Sequence, residues 1–120
     1  KHRRRQRQMC IRDRLKILKK MKFNLKKVWF DPGIGFGKTL NQNLQLMRSL
    51  SKYSHKNLQI LLGSSRKSWI NFIDPSNADQ RIGGSLASIT HALQQNVNTF
   101  RIHDVQETNQ MIKVLKALNK

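Results

Sequence analysis

The chain has 120 residues, 38% of them hydrophobic and 25% charged, which is enough for one modest core and excludes a compositionally disordered tail. No apolar run reaches the roughly 18 residues of a membrane helix, and the lone Cys10 can close neither an internal disulfide nor a cysteine-rich zinc site; both features fit a cytoplasmic setting. The formal net charge is +18, but Lys1 to Lys27 hold 13 basic residues against one acid and residues 28–120 hold 11 against 5, so the excess precedes the first strong structural signal instead of covering a folded nucleic-acid-binding face.

Lys1 to Gln8 is a charge run without periodicity, and Arg5 to Arg14 resembles a translated sequencing adapter. Residues 1–14 are therefore expected to form a basic tail, solvated or foreign to the gene. From Ile11 the apolar residues Ile11, Leu15, Leu18, Met21 and Leu25 recur at helix spacing. Val28-Trp29-Phe30 then reads as a short strand stopped by Asp31-Pro32-Gly33. Leu44, Met47, Leu50 and Tyr53 mark a helix, and Leu58 to Leu62 a second strand ended by Gly63. A short helix through Trp69-Ile70 and Phe72-Ile73 breaks at Asp74-Pro75. A longer one carries Ile82, Leu86, Ile89 and Leu93, and Val97 to Ile102 is a third strand. Asp104 and Glu107 have capping-box spacing ahead of a last helix striped by Met111, Ile112, Leu115 and Leu118.

The strand ends Asp31, Leu62 and Ile102 lie 31 and 40 residues apart. Crossovers of that length imply parallel strands, and short apolar strands imply a sheet covered on both faces. A closed barrel and an open doubly wound sheet fit this pattern equally.

Polar clusters follow each strand: Asp31 to Thr39, Gly63 to Ser68, and Arg101 to Asp104. Parallel α/β proteins build their sites at strand carboxyl ends, so three such clusters are expected to share one mouth. The glycine loop is not a P-loop, because five residues before Gly37 stands Pro32. Nor is it a dinucleotide fingerprint, because Lys38 occupies the third glycine position. Its glycines permit tight turning and let backbone approach a flat ligand beside the Phe36 ring. Asp31 can accept two hydrogen bonds from an amino-heterocycle. Ser65, Arg66 and Lys67 stand where a strand becomes a helix, a place that favours anions. Arg101 and His103, two apart, would share a strand face and suit a diphosphate leaving group. His2, His55 and His91 lack such neighbours, and the small residues from Gly83 to Ala87 suit close helix packing.

Asp31-Pro32-Gly33-Ile34-Gly35-Phe36-Gly37-Lys38-Thr39 closely resembles a signature of the dihydropteroate synthases. Ser65-Arg66-Lys67-Ser68, the Arg81 to Ala87 run and Arg101-Ile102-His103-Asp104-Val105 match in the same order. The resemblance covers roughly Leu15 to Leu118. One departure is Phe23-Asn24, where many members have Gly and an aliphatic residue.

The resemblance implies an α/β fold, a partial (β/α)8 TIM barrel: residues 15–120 as the C-terminal part, with about three parallel strands, of a barrel of about 250 residues. It implies a transferase that joins para-aminobenzoate to 6-hydroxymethyl-7,8-dihydropterin diphosphate in folate synthesis. Asp31, Gly63, Lys67 and Arg101 would bind the pterin, Phe36 and Ser65 the aminobenzoate, and Arg101 and His103 the diphosphate, with Lys67, Arg101 and His103 catalytic. Mg²⁺ is the implied cofactor, its ligand supplied by the amino-terminal part of the barrel. Sulfonamides are the implied inhibitors and a homodimer the implied assembly. The 120 residues taken alone are expected to be inactive and, with open sheet edges, prone to aggregate. A basic nucleic-acid-binding module explains the charge but not the three clusters, and a pterin-dependent methyltransferase barrel lacks the Ser65-Arg66-Lys67 element.

Overall fold

The structure, a computed structural model, describes residues 13–22, 24, 28–53 and 59–120. Most of the expected basic tail, residues 1–12, lies outside the described residues. Asp13 and Arg14 open a helix, α1 (residues 13–20). Its Leu15 and Leu18 are half-buried, while Ile17 and the following Met21 face solvent.

Three strands follow, each with a helical return: β1 (Trp29–Phe30), α2 (Leu40–Arg48), β2 (Gln59–Leu62), α3 (Ser68–Ile73), α4 (Ile82–Gln94), β3 (Thr99–Phe100) and α5 (Val105–Leu118). They form one parallel sheet in the order β1-β2-β3. Crossover helices between sequential strands leave only parallel pairing possible. Phe30 pairs with Ile60, and Leu62 with Phe100. Beyond the last pair, the Arg101 N–H donates to the Leu62 carbonyl at 2.9 Å. The third strand is thus shorter than the expected Val97 to Ile102, and Arg101 and His103 lie beyond it.

Side chains alternate across the strands. Phe30, Ile60, Leu62 and Phe100 face the helices and join Leu46, Met47, Leu50, Trp69, Ile70, Ala92 and Val97 in the core. The opposite face carries Trp29, 50% exposed, and the exposed Gln59. Leu61 and Thr99 on that face are half-buried, so among the described residues it is more open than the face packed on the helices.

Helix starts are set by local chemistry. Thr39 and Gln42 form a reciprocal capping box on α2, which satisfies otherwise orphaned N–H groups. The box expected from Asp104 and Glu107 does not form: Asp104 precedes α5 without a side-chain cap, because Arg66 takes its carboxylate. Leu50–Tyr53 continues beyond α2 as a 3-10 turn, with Tyr53 against Phe30 at 5.4 Å between ring centroids.

Small residues on α4 permit close approach. A Cβ on Gly84 would stand 2.6 Å from Ile70 Cγ2, whereas one on Gly83 would meet nothing within 4 Å. Gly83→Ala is expected to stabilise the protein by roughly 0.5 kcal/mol, a partial helix-propensity gain so near the helix start. Gly84→Ala is expected to destabilise it by a net ~1 kcal/mol, because overpacking of 1–3 kcal/mol outweighs the same gain. Urea midpoints of the two variants should move in opposite directions. Among the described residues, no helix is long and apolar enough to cross a membrane.

Candidate active site at the strand ends

Register brings the three polar clusters to one end of the sheet. Asp31 follows β1, Gly63 follows β2 and Arg101 follows β3. Each stands two residues after Trp29, Leu61 or Thr99, so the period of two puts all three on the more open face of the sheet. Arg101 Nη1 lies 3.9 Å from Asp31 Oδ2. The pair reaches over the middle strand at Gly63. A Cβ there would sit 3.6 Å from Arg101 Nη1 and 3.6 Å from Lys67 Nζ.

Lys67, the N-cap residue of α3, comes from the neighbouring turn. Its Nζ donates to the Ile34 carbonyl at 2.6 Å and lies 4.7 Å from the centre of the Phe36 ring, within cation–π range. The structure thus gathers Asp31, Phe36, Gly63, Lys67 and Arg101 at one end of the sheet. Phe36 is 67% exposed and stands out as an aromatic wall.

The loop 31–39 is built to hold that shape. Gly33, Gly35 and Gly37 all have positive φ, at +70°, +90° and +58°, a region that a Cβ penalises. Asp31 Oδ1 accepts from the Gly33 N–H at 2.8 Å, so one carboxylate oxygen sets the turn and the other faces Arg101. The Gly35 N–H donates to the buried Asn43 Oδ1 at 2.9 Å. Lys38 Nζ donates to the Gly33 carbonyl and, at 3.1 Å, to that of Phe36. Asn43 and Lys38 escape sequence reasoning, since neither residue type signals a loop anchor by itself. Thr39 and Gln42 could have been found from their spacing.

The β2-end turn meets the residues after β3. Ser65 Oγ lies 3.0 Å from His103 Nδ1 and 3.4 Å from the His103 N–H. Arg66, between Ser65 and Lys67, pairs with Asp104. Ser64 is buried, its Oγ 2.8 Å from Ser88 Oγ, and its carbonyl accepts from Trp69 Nε1 at 3.1 Å. His91 lies elsewhere, against the Met47 carbonyl at 2.9 Å; His2 and His55 lie outside the described residues.

Electrostatics follow from this crowding. Burial pushes the Lys67 ammonium below its ordinary pKa, Asp31 opposes the shift and Arg101 adds to it. The folded protein therefore holds this proton less tightly than the unfolded chain. Charged Lys67 costs stability below its folded pKa, and that cost fades as pH rises towards 10.5. If Lys67 binds substrate as a cation, the alkaline limb of kcat/KM should begin below the usual lysine range. Lys67→Arg, whose charge persists, should remove that limb while lowering the plateau. A limb unchanged in Lys67→Arg would assign it to another group.

Among the described residues, no group of three or more His, Cys, Asp or Glu could hold a metal ion.

A parallel β/α scaffold with its polar residues gathered at the strand carboxyl ends defines the class: an α/β protein with a strand-end site. The family model described as "Pterin binding enzyme" matches residues 1–103, and the chain belongs to that family. It is 41% identical over 91 residues to the dihydropteroate synthase of Escherichia coli K12, covering 76% of this chain and 32% of that protein. The chain spans about a third of the length of such curated relatives. The crystal structure of Yersinia pestis dihydropteroate synthase superimposes with a TM-score of 0.83 at 33% identity, covering 91% of this chain and 51% of that one. The same enzyme is also known with a sulfonamide drug. The Thermus thermophilus synthase in complex with 6HMPPP gives a TM-score of 0.70 at 36% identity, over 78% of this chain and 38% of that one, and has a counterpart with 4-aminobenzoate. These likenesses identify the sheet as part of a TIM barrel.

Proposed function

We propose that residues 15–120 form the C-terminal part of a dihydropteroate synthase, a transferase that condenses para-aminobenzoate with 6-hydroxymethyl-7,8-dihydropterin diphosphate. The observation that carries this reading is the convergence of Asp31, Lys67 and Arg101 around side-chain-free Gly63. The Thermus complexes with 6HMPPP and 4-aminobenzoate support both substrates.

In this reading, Asp31 accepts hydrogen bonds from the amino edge of the pterin, and Lys67 donates to its carbonyl and ring nitrogen. Arg101 lies over the ring. The floor at Gly63 lets a flat bicycle come close. The bond between the pterin methylene carbon and the diphosphate oxygen breaks, and its electron pair leaves with the diphosphate. Arg101 and His103 stabilise the growing negative charge, as fixed donors do when aimed at developing charge. The aminobenzoate nitrogen forms the new bond to the methylene carbon and gives up a proton. Phe36 and Ser65 border the aminobenzoate, which sulfonamides would displace. Magnesium, the metal expected from the resemblance, would take its ligand from the amino-terminal part of the barrel and add positive charge at the departing diphosphate; among the described residues no group of three or more His, Cys, Asp or Glu could hold it.

The polypeptide carrying these residues, given both substrates and Mg²⁺, is expected to release diphosphate in step with dihydropteroate. Equal release without aminobenzoate would mark a hydrolase and reject the proposal. A second test uses the floor. Gly63→Ala places its Cβ at ordinary contact distance from Lys67 and Arg101, so the fold should survive while the slot narrows. Calorimetric affinity for the pterin should fall about tenfold, the scale of one misplaced methyl group, with little change in melting temperature.

A further inference from the structure

Arg66 stands between Ser65 and Lys67, both assigned to substrate, yet its guanidinium turns towards Asp104. It grips both carboxylate oxygens, Nε to Oδ2 at 3.1 Å and Nη2 to Oδ1 at 2.5 Å. The fork-on-carboxylate geometry adds direction to the ion pair. The Arg66 N–H donates to Ser85 Oγ at 2.9 Å, and its carbonyl accepts from Arg81 Nη1 at 2.8 Å. Arg81 is itself anchored on the Ser76 carbonyl at 2.7 Å.

These contacts hold Arg66 at a φ of +55°, a left-handed conformation costly to a residue with a Cβ. Such a conformation persists where the surroundings over-determine it, and it clusters at functional sites. Here it turns the chain so that Lys67 reaches Ile34 and Phe36 while the buried Ser65 meets His103 and Arg66 meets Asp104. Asp104 also forgoes a local role, since it gives α5 no side-chain cap. The Arg66 guanidinium holds the Asp104 carboxyl below the ordinary carboxylate range, so the pair stays charged at neutral pH. Ser65 and His103 touch directly alongside it. Two adjacent cross-links thus join the β2 end to the β3 end across 38 residues of sequence.

We propose that Arg66 and Asp104 are positioning residues: a strut that sets the spacing between the Lys67 ammonium beyond one strand end and Arg101 and, separately, His103 beyond the next. The proposal rests on the transferase reading of the mouth, in which the ring and the leaving diphosphate must meet those groups together. Neither strut residue touches substrate.

The test uses the polypeptide that carries these residues. Asp104→Asn keeps size and removes charge, Asp104→Glu keeps charge, and Arg66→Lys keeps charge but loses the fork. The measurements are kcat, KM for each substrate, melting temperature, and the His103 imidazole resonances without ligand. Asp104→Asn and Arg66→Lys are expected to lower kcat by up to about 10²-fold, the scale of a 1 Å misplacement. KM for the pterin should change little, Asp104→Glu should recover part of kcat, and the His103 resonances should shift. A lowered melting temperature with unchanged kcat makes the pair merely structural and overturns the strut. Should Asp104→Asn fail to fold, Arg66→Lys decides by the same kcat criterion. A parent protein that makes no dihydropteroate sinks the transferase reading instead. The His103 resonances then judge the strut alone, and no shift in Asp104→Asn overturns it.

Discussion

Arg101→Met is expected to lower kcat by about 10²- to 10³-fold, the effect of removing one donor aimed at developing negative charge, or roughly 2.7–4 kcal/mol. Methionine retains a flexible apolar chain of similar reach, so the loss reports the guanidinium. Arg101 is anchored by its own backbone, whose N–H extends the ladder onto Leu62, and this bond does not depend on the side chain. Its side chain is 63% exposed, with Nη1 3.9 Å from Asp31 Oδ2; a pair so open adds little to stability. Melting temperature should therefore hardly move while turnover collapses. The split between kcat and stability, read by steady-state kinetics and thermal unfolding on one sample, checks the assignment. Equal losses in both would make Arg101 a structural residue.

Lys67→Gln should be nearly as damaging, for two reasons that separate experimentally. Loss of a charge-assisted hydrogen bond to the pterin costs about 1.5–3 kcal/mol, or roughly 10- to 150-fold in affinity. The same ammonium also holds the Ile34 carbonyl and lies against the Phe36 ring, so its loss loosens the aromatic wall assigned to aminobenzoate. The expected pattern is weaker binding of both substrates. Gly35→Ala gives an independent handle on the second effect. Its Cβ would press on Lys67 Cδ at 3.0 Å from a backbone at φ +90°, moving the lysine without removing its charge. Weakened binding in Lys67→Gln but full binding in Gly35→Ala would assign the whole effect to charge.

Much of this was readable from the chain itself. Apolar runs and glycine stops located β1 and β2, and crossover length dictated their parallel pairing. The three polar clusters were visible because Asp, Lys, Arg and His directly after apolar strands have no core role. What stayed hidden depends on contacts far apart in sequence. The capping-box spacing of Asp104 and Glu107 was genuine, yet Arg66, 38 residues earlier, captured the carboxylate. Local spacing cannot register such a competitor. Arg101 and His103 looked like neighbours on one strand, but β3 ends at Phe100, and His103 is directed to Ser65 instead. The buried Asn43 that fixes Gly35 reads in sequence as an ordinary polar helix residue.

The most direct measurement is a crystal structure of the polypeptide carrying these residues with the dihydropterin diphosphate bound. The ring should lie over Gly63, its amino edge about 2.7–3.2 Å from the Asp31 carboxylate, its carbonyl on Lys67 Nζ and the guanidinium of Arg101 across its face. A ligand bound elsewhere, with those three side chains undisturbed, would contradict the account.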